Sequence, residues 1–159
     1  MSSTEVSSDA AAPSSAATGT AYRFEVTTLP VSDIDRAKAF YEQIGWRLDI
    51  DFEPAPGVRG VQFTPTGSPA SIQFGTASTQ MPGPLQGLIL VVDDIEAARD
   101  ELTGHGVDVG EIFHTVPGEG PVPGIDPERR SYFSRASFSD PDGNTWQLQE
   151  ITERLPGRV

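Results

Sequence analysis

The chain of 159 residues contains no cysteine, which excludes disulfides, thiolate metal sites and cysteine nucleophiles. It has a single lysine, Lys38, and only two histidines, His105 and His114, too few for a His-rich metal cluster. Positive charge is scarce: 11 Lys and Arg stand against 23 Asp and Glu, a formal net charge of -12. Phosphate backbones are bound through clustered Lys and Arg, so this balance excludes nucleic acid as a partner, while a cationic ligand is compatible with the acidic field. No run of about 18 apolar residues exists to span a bilayer. The opening "MSSTEVSSDAAAPSSAATGT" lacks the basic start and apolar core of a secretory signal, which points to the cytoplasm. Its Ser, Ala and Thr bias offers little apolar surface to bury and predicts a disordered tail over 1–20.

What remains is globular in composition, with 36% hydrophobic residues, and rich in loops, with 16 Gly and 14 Pro. The size predicts one domain, over 21–155, since domains usually run to about 100–150 residues. Within it the chain repeats. "LPVSDIDRAKAFYEQIGWRLD" and "LVVDDIEAARDELTGHGVDV" share an apolar strand end, an acidic cap, an amphipathic helix, a Gly and another strand, offset by 61 positions from Asp33 to Asp94. Ser32 or Asp33, and Asp93 or Asp94, can take the free N–H groups of a first helical turn. The helices are expected over 33–44 and 94–104, with Ile34, Ala37, Phe40 and Tyr41, and Ile95, Ala98 and Leu102, facing the core.

Strand patterns follow each helix: "WRLDIDF", "VRGVQFTP" and "ASIQFGT", then "VDVGEIFH", "YFSRASFS" and "TWQLQEI". Each half reads strand, helix, three strands, giving modules at about 22–77 and 85–152. The segment 115–131, "TVPGEGPVPGIDPERRS", is extra to the second half and reads as a loop too rich in Pro and Gly for regular structure, a candidate ligand contact.

The combination of "LPVSDIDRAKAFYEQIGW", "LVVDDIEAARDEL" and "FSDPDGNTWQLQE" resembles the vicinal oxygen chelate superfamily, and more particularly its glyoxalase-like or bleomycin-resistance-like proteins. The resemblance covers about 22–151. It implies an α+β fold in which two βαβββ modules form an open, cup-shaped mixed sheet with helices outside. It also implies a homodimer and, in many relatives, a divalent metal held by two ligands from each module. The positions matching those ligands are Val26, Gly87, Gln147 and Ser71. Val and Gly have no donor, and the neutral oxygens of Gln and Ser hold a divalent ion weakly. No cofactor is therefore expected, a divalent metal being possible only through non-standard ligands such as His114 and Glu25.

Alternation along the implied cup strands places Val26, Thr28, Gln62, Ser71, Gln73, Gly87, Ile89, Phe133, Arg135, Ser137, Gln147 and Gln149 on the cup face. Amides, hydroxyls and one Arg over apolar walls suit a small organic ligand. His114, opening the long loop, and Arg130, beside Arg129, Tyr132 and Phe133 in "DPERRSYFSR", are further candidates, since Arg grips carboxylates and stacks on rings. His105 reads as a solvent-facing turn residue, and Glu25 and Glu150 as pointing away from the cup. There is no Ser-His-acid triad and no Gly-rich phosphate loop. Two readings stay open. One is a binding protein for a drug or natural product, with a role in antibiotic resistance. The other is a glyoxalase-like lyase, isomerase or epimerase, metal-free or with unusual ligands.

Overall fold

The computed structural model describes residues 19–158, so the tail expected over 1–20 lies outside the described residues except for Gly19 and Thr20. Both helices begin at an aspartate. Asp33 accepts from the Arg36 N–H at 3.0 Å and opens α1 (Ile34–Gln43); Asp94 accepts from the Ala97 N–H at 3.1 Å and opens α2 (Ile95–Gly104). Shortly after each helix stands a glycine at φ +85°, Gly45 and Gly106, a backbone conformation that favours glycine and turns the chain out of the helix.

Strands β1 (Val26–Thr28), β2 (Arg47–Ala55), β3 (Val58–Thr64) and β4 (Ser71–Gly75) form one sheet in the order β1-β4-β3-β2. Strands β5 (Leu88–Val92), β6 (Phe113–Val116), β7 (Gly120–Pro123), β8 (Ser134–Ser139) and β9 (Thr145–Glu150) form the other, in the order β5-β9-β8-β6-β7. β1 runs parallel to β4, and β5 to β9, while the remaining pairs are antiparallel. With β7 set aside, the second sheet repeats the first, as the duplication predicts, giving the α+β pair of open sheets that the resemblance implies. Among the described residues no helix is long and apolar enough to cross a membrane.

Two strand expectations are corrected. The segment expected to be irregular carries β7, which pairs Val116 with Gly120 and Phe113 with Pro123. Pro121 and Pro123 can sit there because β7 is the sheet's edge, where a missing N–H breaks no ladder. Conversely, the strand expected from Val107 starts only at Phe113. Val107 and Val109 bury their side chains, but Arg99 takes the carbonyls of Val109 and Gly110 at 3.0 and 2.9 Å, removing acceptors a ladder needs.

The sheets meet through their helix-side faces. Val61, Phe63, Ile72 and Phe74 of the first and Ala136, Phe138, Trp146 and Leu148 of the second share one core with α1 and α2. Tyr41 is the pivot. Its ring lies 5.9 Å from Phe63 and 6.5 Å from Trp146, centroid to centroid. Its hydroxyl accepts from Trp146 Nε1 at 3.0 Å and donates to Asp140 at 2.9 Å. Burial and the Asp140 carboxylate push the phenol well above its usual range, so it stays protonated and able to donate.

Asp140 and Asn144 bound the β8–β9 turn and fasten it to the first module. One Asp140 oxygen takes the N–H groups of Asp142 and Asn144, both at 2.9 Å, which closes the turn. The fully buried Asn144 amide donates to the Pro30 carbonyl and to Asp140, and its oxygen takes the Leu85 N–H at 2.9 Å. Asp142 accepts from the Ser32 N–H and hydroxyl and from Arg36.

A second polar anchor ties the long loop to α2. Buried Glu150 takes the Ile95 N–H at 3.0 Å and both Nε and Nη2 of Arg129, at 2.9 and 2.7 Å. The guanidinium holds the Glu150 carboxyl below the usual carboxylate range.

Asn144→Ala strands the half-buried Leu85 N–H and the buried Pro30 carbonyl, so a loss of about 3 kcal/mol is expected in urea unfolding. A shift under about 0.5 kcal/mol, the usual size of a surface substitution, shows instead that the turn does not join the modules. For Arg129→Ala, the sign follows from Glu150. Its folded pKa is depressed, so the pair's contribution is complete above the ordinary Glu value of about 4.3 and fades as pH falls through the lower folded value. The urea midpoints of variant and wild type should differ most at neutral pH and converge in acid; a gap independent of pH rejects the assignment.

Candidate functional site

Because alternate residues of a strand face opposite ways, burying Val61, Phe63, Ile72 and Phe74 turns Gln62, Thr64, Ser71 and Gln73 to the other face. The ladder then sets Thr28, Gln73, Gln62 and Ile50 in one row across all four strands of the first sheet. Gln73 Nε2 donates to Thr28 Oγ1 at 2.8 Å. A hollow of about 280 Å³ lies over this face, with Ile50, Phe52 and Val58 among its apolar walls and Thr28, Gln62 and Gln73 among its polar lining.

The second sheet repeats the device. Val91, Gln149, Arg135, Phe113 and Pro123 form one row, and Ile89, Gln147 and Ser137 the next. Gln149 is buried and donates to the Tyr132 carbonyl at 2.8 Å. Tyr132 stands at φ +76°, unusual for a bulky residue; its N–H, bonded to the Glu150 carbonyl at 2.8 Å, and its carbonyl, bonded to Gln149, hold it there. A hollow of about 230 Å³ over this face is lined by Ile89, Val91, Tyr132 and Gln149, with Ile151, Arg154 and Arg158 at its C-terminal side. The first hollow is lined by first-module residues and the turn that follows β4, the second by second-module and C-terminal residues. Within one chain the cup is thus present as two separate faces.

The expected site residues fall into groups. Thr28, Gln62 and Gln73 come together on the first face, and Arg135, Gln147 and Gln149 on the second. Val26 pairs with Ser71 at the edge of the first face. Gly87, at φ +83°, leads into β5 and contributes backbone only. His114 is placed elsewhere: its register partner is Ser134, on the helix-side face, and its ring Nδ1 donates to the Gly124 carbonyl at 2.7 Å. Arg130 likewise serves the loop. It pairs with the fully buried Asp126 at 2.9 Å, holding that carboxyl below its usual range, and lies 4.3 Å over the ring of Phe133. His105 is exposed at the end of α2, Glu25 is exposed, and Glu150 lies opposite Gln147 in facing.

One register is corrected. Thr28 pairs with Gln73 as Ile89 pairs with Gln147, and Thr28 and Ile89 are repeat equivalents, so the first-module counterpart of Gln147 is Gln73, not Ser71. Ser71 shares its hydroxyl with Thr64 at 2.7 Å, and Thr64 donates to Asp49. That bond, with Arg47 next, keeps Asp49 ionised below the usual carboxylate range. Thr64 was reachable by alternation from Gln62. Asp49 was not, because the pairing of β2 with β3 shifts between Leu48 and Ile50.

The donor set does not fit a divalent ion. Val26 and Gly87 bring no side-chain donor, the Ser71 hydroxyl is engaged, and Gln73 and Gln147 are neutral amides. Among the described residues no three of His, Asp and Glu are grouped to hold one.

Comparison with known proteins agrees with this architecture. The family profile described as "Glyoxalase/Bleomycin resistance protein/Dioxygenase superfamily" matches residues 23–148. The antibiotic binding protein TnmS3 from Streptomyces sp. CB03234 is 31% identical with a TM-score of 0.62, covering 85% of this chain and 100% of its own. A glyoxalase/bleomycin resistance protein from the same organism is 33% identical, TM-score 0.58, over 80% of this chain and 99% of its own. A superfamily member from Sphaerobacter thermophilus is 28% identical, TM-score 0.58, over 82% and 98%. No curated protein matches the chain. With the repeat, the paired sheets and the profile in agreement, the chain belongs to the glyoxalase/bleomycin resistance protein/dioxygenase superfamily.

Proposed function

We propose that this is a small-molecule binding protein for a drug or natural product, acting as a cytoplasmic homodimer and without a metal. The observation that carries the reading is the pair of repeat-equivalent amides, Gln73 and Gln147, each at the centre of a face lined by apolar walls. Amides orient a ligand through paired donors and acceptors, and apolar walls supply affinity. The description of TnmS3 as an antibiotic binding protein supports the ligand class.

The dimer rests on apolar exposure. Phe52 is 57% and Ile89 53% exposed, with Ile50 and Val91 beside them, one pair on each face. Apolar groups gathered on two concave faces are favourable only when something covers them, and a second copy presenting its own face does so.

Titration with a panel of anionic, neutral and cationic antibiotics should give saturable binding for at least one. Gln73→Leu should weaken it by at least about tenfold, the value of a lost hydrogen bond that leaves a buried ligand group unpaired. No saturable binding across the panel contradicts the reading. Phe52→Asp should turn a dimer into a monomer in light scattering; a wild-type monomer at micromolar concentration contradicts the dimer.

A further inference from the structure

The second face contains a cation that no partner among the described residues accounts for. Arg135 sits mid-row between Gln149 and Phe113, half-buried, and its Nε is buried without a hydrogen-bond partner. Its guanidinium has no ion pair among the described residues. The contrast with the other cations is plain. Arg36, Lys38, Arg47, Arg59, Arg99, Arg129 and Arg130 each pair with a carboxylate. Arg23 and Arg158 are exposed to water.

In a chain with 23 acidic residues, an unpaired half-buried guanidinium is not for want of carboxylates. Two buried acids that adjoin its neighbours, Asp126 bonded to Ser134 and Glu150 next to Gln149, are committed on the other side of the sheet. Asp126 takes Arg130 and lies by Ser134, whose hydroxyl accepts its N–H at 2.9 Å; Glu150 takes Arg129. Both are buried among helix-side neighbours, whereas Arg135 lies one residue from Ser134 and faces the opposite way. Taking a guanidinium partly out of water without an acceptor is costly, and an oxyanion arriving on this face recovers that cost through a paired, charge-assisted bond.

We infer that Arg135 is the anion-recognising residue of the second face, and that the ligand is a flat organic molecule carrying a carboxylate or comparable oxyanion. In the ladder Phe113 stands on one side of Arg135 and Gln149, then Val91, on the other, with Ile89, Gln147 and Ser137 in the next row of the same face, so apolar and hydrogen-bonding positions both neighbour it. The local cation thus opposes the acidic field of the whole chain, which on its own predicts a cationic ligand. The long-range field sets which molecules approach, but contact energy at a half-buried site is set by the nearest charge. The inference rests on the binding-protein reading above and specifies its ligand.

The test is calorimetric titration of the full chain with three matched probes: 2-naphthoate, neutral 2-naphthamide and cationic 2-naphthylmethylammonium. The acid should bind at least about tenfold tighter than the amide, as one charge-assisted bond allows. In Arg135→Gln acid and amide should bind alike, and in Arg135→Lys part of the preference should return. Equal binding of acid and amide by the wild type, preference for the cation, or a preference that survives Arg135→Gln overturns the inference while leaving the binding-protein reading in place. A change in solution mass in Arg135→Gln also overturns it, because Arg135 then pairs with an acid of a second copy. If none of the three probes binds while the antibiotic panel does, the inference alone falls; if neither the probes nor the panel bind, the reading beneath it falls as well.

Discussion

The placement of the concave-face side chains of the second sheet depends on how the β8–β9 turn is held. Asp140 and Asn144 close the turn on themselves and in the same act reach Tyr41, Pro30 and Leu85, none of which belongs to the second sheet. A buried carboxylate and a buried amide are expensive to keep from water unless every lone pair and proton is used, and here nearly all are. The turn therefore fixes where β9 starts. Since β9 is the central partner of β5 and β8, it fixes the register that puts Gln147 and Gln149 on the concave face rather than in the core. A slip of one residue would exchange them with Trp146 and Leu148.

The division between helix-side and concave-side polarity follows from that register. On the helix side, charges are spent within the chain: Glu150 on Arg129 and Ile95, Asp126 on Arg130, Asp140 on its turn. On the concave side the row residues are mainly neutral, with hydrogen-bonding capacity left over, and Arg135 has no ion pair among the described residues. The strained Tyr132 stands where the two regimes meet, its N–H bonded to the Glu150 backbone and its carbonyl to the Gln149 side chain.

Periodicity carried most of the fold. The 61-residue offset located both helices and narrowed each cap to two residues, and alternation separated core from concave residues along β3, β4, β8 and β9. Competing backbone partners were beyond its reach. Nothing in "VDVGEIFH" shows that Arg99 takes the carbonyls of Val109 and Gly110, and Pro and Gly counts in "PGEGPVPG" do not tell a loop from an edge hairpin. The site was legible to the same depth: the cup-face amides came from alternation, whereas the equivalence of Gln73 and Gln147 came only from the ladder. His114 was misleading because its place at the mouth of the long loop says nothing of which face of β6 it takes, and its partner Ser134 puts it on the helix side.

The proposed function has the concave faces recognise a small organic molecule through amides, apolar walls and Arg135, with no metal between protein and ligand. Probe affinity measured before and after exhaustive dialysis against EDTA tests it most directly. The same affinity is expected in both preparations; affinity lost on dialysis and recovered with a divalent ion places a metal between protein and ligand.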